Sequence, residues 1–260
     1  MTQAGIGILA LACLAGGIWL GPANPRAVAE TATGLLRPLA LPQLWQGLRL
    51  AQGRGDPQEI AQRGREILRY LPDWTDGHLH FAAMLAFEGG KLARDDEQAA
   101  DRLLAALAWL GEAQERAPGH RPELLSTMAS FVEIRLRQTP GLREPFLRRT
   151  GQDPLFAAEA WLAQAEALAP APSLSDRRAY LAVRLIASAV RMGDMARARL
   201  QWELAAQRLR SVRDPQDAQA WLDSLHKLGP VLRDEADADR AAIAADPRLA
   251  EIAEALAARR

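Results

Sequence analysis

Cysteine is nearly missing from this chain. Cys13 stands alone, which excludes an intrachain disulfide framework and any zinc site built on thiolates. Val, Ile, Thr, Tyr and Phe are sparse, so there is little from which to build a sheet. Net charge is missing as well: 32 Lys and Arg balance 32 Asp and Glu. Without a basic excess the electrostatic footprint of a nucleic-acid binder is lacking, and no nucleic-acid partner is expected. Sequence signatures of chemistry are equally scarce. There is no Gly-x-Ser-x-Gly elbow, no Gly-x-Gly-x-x-Gly turn and no Gly-Lys-Ser/Thr phosphate loop. His78 and His80 are two apart and point different ways on a helix, with no partner at ligand spacing, so they read as packing or surface residues. No catalytic, cofactor-binding or metal-binding set emerges, and the chain reads as a non-enzyme.

What is present is Ala and Leu, strong helix formers, within an apolar content of 49% that is ample for a core. The expectation is an all-α protein. Its first segment, Ala4 to Leu20, has 17 residues without a charge, just enough to cross a hydrocarbon core. It reads as a single-pass anchor, residues 1–22, that enters the lipid bilayer through Ala4 to Leu20. The rival is a cleaved signal peptide, which Ala27-Val28-Ala29 would suit, but no Lys or Arg precedes the apolar run. Arg26 and Arg37 on the C-terminal side of the run weakly favour a cytoplasmic body, whereas N-terminal anchors usually export the domain attached to them; cytoplasmic and periplasmic placements both stay open. Cys13, Gly17 and Gly21 recur every four residues, a small-residue face that permits close approach of a second copy in a homodimer. Pro22 and Pro25 and the Ala/Thr-rich stretch after them suggest a linker over residues 23–40.

From Leu41 a spacing repeats four times. Gly55-Asp56 is followed by Ile60, Gly64, Ile67 and Pro72, and Gly193-Asp194 by Ala198, Trp202, Ala205 and Arg210 at the same offsets. Ala106, Leu110, Ala113 and Pro118, and then Ala158, Leu162, Ala165 and Pro170, repeat the later part. Steps of four, three and five follow one stripe of a helix, and small or aliphatic residues there admit a neighbouring helix closely. Glycine allows the sharp turn before each aspartate, the aspartate caps the next helix, and proline ends it. Each unit is thus a helical hairpin that must stack on others to bury its stripe.

These residues resemble the tetratricopeptide repeat, whose unit is about 34 residues. Leu41–Trp74 has that length, with Gly55, Ile60, Ile67 and Pro72 at the family's glycine, alanine, alanine and proline positions. Thr75–His120 matches at Phe81, Gly89, Ala106, Ala113 and Pro118, with 12 residues in excess; Arg121–Pro172 matches at Ala158, Ala165 and Pro170, with 18 in excess. Ala179 to Val212 matches at Leu185, Gly193, Ala198, Trp202 and Ala205. Three departures stand out: the family's first-helix tryptophan is absent from its expected place, Gly64 is small where an aromatic is usual, and Arg210 replaces the last proline. The resemblance implies a right-handed antiparallel helical-hairpin solenoid of about four units over residues 41–212. Residues 213–260 come next as capping helices, Pro215–Leu228, Pro230 to Ala244 and Pro247–Ala258, with Asp214 and Asp246 as caps. In the family the first helices of each pair line a concave groove for a partner segment. Carried over, the groove residues are Trp45, Arg49, Leu79, Phe87, Leu125, Val132, Tyr180, Val183 and Arg191.

Of the excess residues, GGKLARDDEQAAD is expected to lengthen the second unit's second helix after a short loop. Gln138 to Pro154, with three prolines and two glycines, is expected to be a loop whose Phe146, Leu147, Arg148 and Arg149 touch a partner or a membrane surface, or else tuck onto their own helices. Trp45, Trp74, Trp109, Trp161, Trp202 and Trp221 are read as packing between helices. The function expected from all this is a membrane-anchored protein-binding scaffold or assembly factor. The alternative is an all-helical cell-envelope hydrolase using paired carboxylates that a sequence alone does not single out.

Overall fold

The computed structural model describes residues 25–71, 74–88, 93, 95–235 and 239–259. The candidate anchor Ala4–Leu20, with Cys13, Gly17 and Gly21, lies outside them, as do Pro72 and Gly89. Among the described residues the chain forms twelve α-helices and no strand. No helix among the described residues is long and apolar enough to cross a membrane. The chain divides into two compact units, Met1–Leu92 and Ala93–Arg260, and the boundary falls inside the second repeat unit.

In the first unit α1 (Pro25–Arg54) folds back against α2 (Pro57–Tyr70), followed by α3 (Thr75–Ala83), which continues as a π-helical turn over Met84–Glu88. The helix α1 corrects the expected linker over residues 23–40: it begins at Pro25 and runs straight through Leu41. Ala and Leu carry it. Its internal prolines, Pro38 and Pro42, are both exposed. The turn out of α1 shows why the sequence reads Gly-Asp there. Gly55 has φ 68°, and the N–H of Asp56 reaches back to the carbonyl of Ala51 at 3.3 Å, closing a left-handed helix stop. The Asp56 side chain then accepts from the N–H groups of Gln58 and Glu59 at 2.9 and 3.2 Å and starts α2.

The second unit contains α4 (Asp96–Arg116), α5 (Arg121–Gln138), α6 (Arg143–Thr150), α7 (Pro154–Leu168), α8 (Pro172–Arg191), α9 (Met195–Leu209) and α10 (Pro215–Leu232). Two short helices, α11 (Arg240–Ala244) and α12 (Ala250–Ala257), complete it. The tightest pairings are the two hairpins, α5 with α7 and α8 with α9. Between α8 and α9 the Gly-Asp turn recurs: Gly193 has φ 78°, Asp194 N–H bonds to Ala189 O at 3.0 Å, and the Asp194 carboxylate caps Arg197 N–H at 2.8 Å. Apart from the half-buried Trp202, the repeated stripe is buried in every copy. Ala106, Leu110, Ala113, Ala158, Leu162, Ala165, Ala198 and Ala205 are all 0% exposed, with Ile60 at 2% and Ile67 at 0%. Side chains this small let the helix axes come close together.

Three copies end alike. Leu71, Ala117 and Ala169 each precede a proline in the sequence, and each leaves the helix with ψ between 61° and 86° while its N–H still bonds four residues back. The pyrrolidine ring of the next residue forbids the helical ψ. Arg210, with no proline after it, keeps helical angles of −64° and −18°.

Two expectations need correction in this unit. Residues 138–154 are not a loop: Pro140–Leu142 form a 3-10 turn and α6 comes directly after it, because Pro140 and Pro145 fall within first turns, where a missing N–H costs nothing. The helix expected to start at Pro230 does not exist. Pro230 lies inside α10, and the carbonyl its missing N–H leaves without a helical partner belongs to His226, an exposed residue. That helix stops four residues later at Asp234, φ 60°, where Glu235 N–H bonds to Pro230 O at 3.0 Å. By contrast α4 begins at Asp96, capped by Asp95 onto Gln98 N–H at 2.8 Å, so the second unit's second helix is lengthened as expected. Asp214 and Asp246 both cap, onto Gln216 and Asp217 and onto Arg248.

Candidate functional site

The most buried helix, α8, organises the second unit. From Ala179 to Val190 nearly every residue is buried, because α7, α9 and α12 cover three of its sides. Tyr180 and Val183 look along the remaining face toward α10. The Tyr180 hydroxyl donates to Asp217 Oδ2 at 2.7 Å, and its ring meets Trp221 edge-on, centroids 6.2 Å apart. Asp217 and Trp221 are one turn apart on α10, so a single helix face supplies both. Burial, followed by the Asp217 carboxylate that its proton bonds, pushes the Tyr180 phenol up to about 12.

Helix α12 forms the opposite wall. Ile252 and Ala255, each 2% exposed, seat it on α8, while Arg184 reaches both Glu133 on α5 at 3.9 Å and Glu251 on α12 at 3.6 Å. Arg191 donates to the backbone carbonyl of Glu251. Behind α12, Asp246 accepts from Ser224 Oγ at 2.8 Å, Lys227 Nζ at 2.9 Å and Arg248 N–H at 3.1 Å. Burial works against its charge, but these three donors outweigh it and hold the carboxyl below its usual range. Between the walls lies a half-open cleft of about 530 Å³. Val183, Trp221 and Ile252 give it an apolar floor; Arg184, Arg248 and Glu251 stand at its rim. The Arg248 guanidinium sits 5.9 Å from the Trp221 ring.

The expected groove residues divide sharply. Tyr180 is half-buried, Val183 borders the cleft though only 2% exposed, and Arg191 is exposed. Leu125 and Val132, at 2% and 0% exposed, do not line an open groove: α5 is packed between α4 and α7, and both side chains belong to the core. In the first unit Trp45 is half-buried against Trp74 and Phe81, with centroids 5.9 and 6.0 Å away, and the exposed His80 joins the same cluster. Leu79 and Phe87 are half-buried and Arg49 is exposed. His78 is buried.

The expected contact loop is likewise folded in. Phe146 is 2% exposed, Leu147 is half-buried, and Arg148 and Arg149 both pair with Glu97 of α4, Arg149 also with Asp101. At the base of α6, Arg143 bridges Asp153 and Ser188 at 2.5 and 2.6 Å. Tucking onto the chain's own helices is the reading that fits. Trp109 and Trp202 pack between helices as expected: Trp109 is 4% exposed, and Trp202 on α9 donates to Leu225 O of α10 at 2.8 Å. Sequence reasoning missed Asp217, Arg248 and Ile252 as cleft residues, since no local pattern tells that α12 returns to α8. Among the described residues no group of three His, Cys, Asp or Glu is placed to hold a metal ion. No family model matches the chain, and no curated protein or solved structure matches it either.

Proposed function

We propose that the chain is a membrane-tethered protein-binding scaffold of tetratricopeptide-like helical hairpins, which takes a partner segment in the cleft between α8, α10 and α12. The observation that carries this reading is the cleft itself: about 530 Å³, open to solvent, apolar at the floor and charged at the rim. A cleft of that size accepts a few side chains of a peptide. The half-buried Trp221 offers a seat for one apolar anchor, and Arg248 at the rim favours an acidic neighbour beside it. The face of α8 that borders it carries Tyr180 and Val183, two of the residues that the resemblance to the tetratricopeptide repeat implies for a groove. The tether is the uncharged segment Ala4–Leu20.

The test is site-specific photocrosslinking from position 248 in detergent-solubilised membranes, comparing the parent chain with Trp221→Ala. Loss of the crosslinked partner, with helicity by circular dichroism unchanged, is the expected result. An identical crosslinking pattern in the variant refutes the cleft as the binding site.

A further inference from the structure

Two arginines to which no sequence pattern draws attention are buried in the second unit. Arg102 on α4 and Arg135 on α5 are each 4% exposed, as deeply buried as Trp109. A guanidinium stays charged at any pH a protein tolerates, so each brings a full positive charge into the interior. The usual remedy is a carboxylate in bidentate contact, and among the described residues neither arginine has one. Nε and Nη1 of Arg102 and Nε of Arg135 have no hydrogen-bond partner there. Arg135 Nη1 donates to the neutral Gln138 Oε1, at 3.2 Å. The carboxylates on the neighbouring turns of α4 are engaged elsewhere, Glu97 with Arg148 and Arg149 and Asp101 with Arg149.

Arg135 also feels the charge of Arg102. Burial, and after it the positive charge of Arg102, pulls the Arg135 value down, while burial alone does so for Arg102. Three buried donors without acceptors, on two like charges without a counter-charge among the described residues, invert the normal chemistry of an interior. The C-terminal end of α5 offers Arg135 a favourable dipole, but a dipole accepts no hydrogen bond from Nε.

We propose that Arg102 and Arg135 bind a dianionic phosphate group, as inorganic phosphate or a phosphate monoester, with Gln138 orienting Arg135. Charge selects this class. A carboxylate or a phosphodiester brings one negative charge and leaves the second arginine uncompensated. A monoester carries close to two above its second pKa of about 6, and its terminal oxygens accept several donors at once. The site lies on α4 and α5, helices that do not line the cleft on α8, so it stands or falls independently of the proposed function.

The test titrates the full chain, in non-ionic detergent and dialysed free of phosphate, with inorganic phosphate, glycerol 3-phosphate or acetate at constant ionic strength. Calorimetry and thermal unfolding are read in parallel. Phosphate and the monoester should bind saturably, more tightly as pH rises through about 6, with acetate at least about tenfold weaker. Arg102→Gln and Arg135→Gln should each weaken phosphate at least about tenfold. Removing an uncompensated charge should leave each variant melting at or above the parent chain without phosphate, and below it at saturating phosphate. Short-chain phosphatidic acid distinguishes the sources: tighter binding than glycerol 3-phosphate assigns the site to a lipid headgroup, equal binding to a free phosphate ester. Absence of saturable phosphate binding, equal stabilisation of the parent chain and the double variant, or an order of melting that does not reverse would overturn the proposal.

Discussion

The same substitution, glycine to alanine, should have opposite signs at two positions of the second unit. Gly193 closes α8 with φ 78°, and a Cβ built there meets nothing within 4 Å among the described residues. The cost of alanine is therefore purely one of backbone conformation. An L side chain in the left-handed region is penalised by about 1–2 kcal/mol, offset in part by about 0.4–1 kcal/mol from a less flexible unfolded chain. The net is a destabilisation of about 1 kcal/mol. Gly111 lies inside α4, and a Cβ there also meets nothing within 4 Å, so Gly111→Ala gains helix propensity and should stabilise by about 0.5–1 kcal/mol. At about 2–4 °C per kcal/mol for a unit of this size, the two variants should melt about 3–8 °C apart, on either side of the parent chain. Thermal unfolding followed by circular dichroism in detergent gives the answer. Gly193→Asn should fall between Gly193→Ala and the parent, because asparagine tolerates positive φ. Shifts of Gly193→Ala and Gly111→Ala in the same direction would refute the assignment of the turn.

Tyr180 titrates upward, to about 12, so its contribution to stability is complete below the ordinary tyrosine value near 10 and is lost as pH rises through its folded value. In a Tyr70→Phe background the absorbance of the phenolate should rise with a midpoint near 12, and Asp217→Asn should bring it down; a midpoint at the ordinary value contradicts the Tyr180–Asp217 bond. Asp246 behaves oppositely. Its carboxyl is held low, so the stabilisation is present above about pH 4 and disappears as pH falls through the folded value. Asp246→Ala removes the cap on Arg248 and the acceptor of Ser224 and Lys227 and should cost about 2 kcal/mol in urea unfolding at neutral pH. Lys227→Ala should cost much less, because its side chain is 48% exposed and its ion pair is partly solvated. Equal losses for the two would contradict this division.

How much was legible depends on how far the governing contact reaches along the chain. Gly-Asp turns, aspartate caps and helix stops before proline act within about five residues, and the positive-φ glycine and the aspartate cap three residues on at Gly55-Asp56 recur at Gly193-Asp194. The buried stripe is nearly as local, because its period belongs to the helix itself. Where the reading failed, a local signal was overruled from a distance. Three prolines and two glycines in residues 138–154 argue for a loop, yet Phe146 is drawn into the core and Arg148 and Arg149 bind α4, about fifty residues earlier. Pro230 argues for a helix start, yet α10 continues past it and buries Val231 and Leu232.

The candidate site was legible only as a face. The repeat resemblance puts Tyr180 and Val183 of α8 on the same groove as Leu125 and Val132 of α5, but Val183 borders a cleft near α12 whereas Leu125 and Val132 lie in closed core. Which of the two a residue meets is decided by α12 folding back from far along the chain, through Ile252, Glu251 and Arg184. The buried arginine pair carries the same lesson. Sequence alone determined the all-helical class, the repeating stripe and the turns that separate its copies, because each results from backbone sterics and helical period. Only the tertiary structure decided which faces stay open, and only it buried Arg102 and Arg135 without a carboxylate among the described residues, because burial and charge balance are properties of the packed set of helices and not of any one of them.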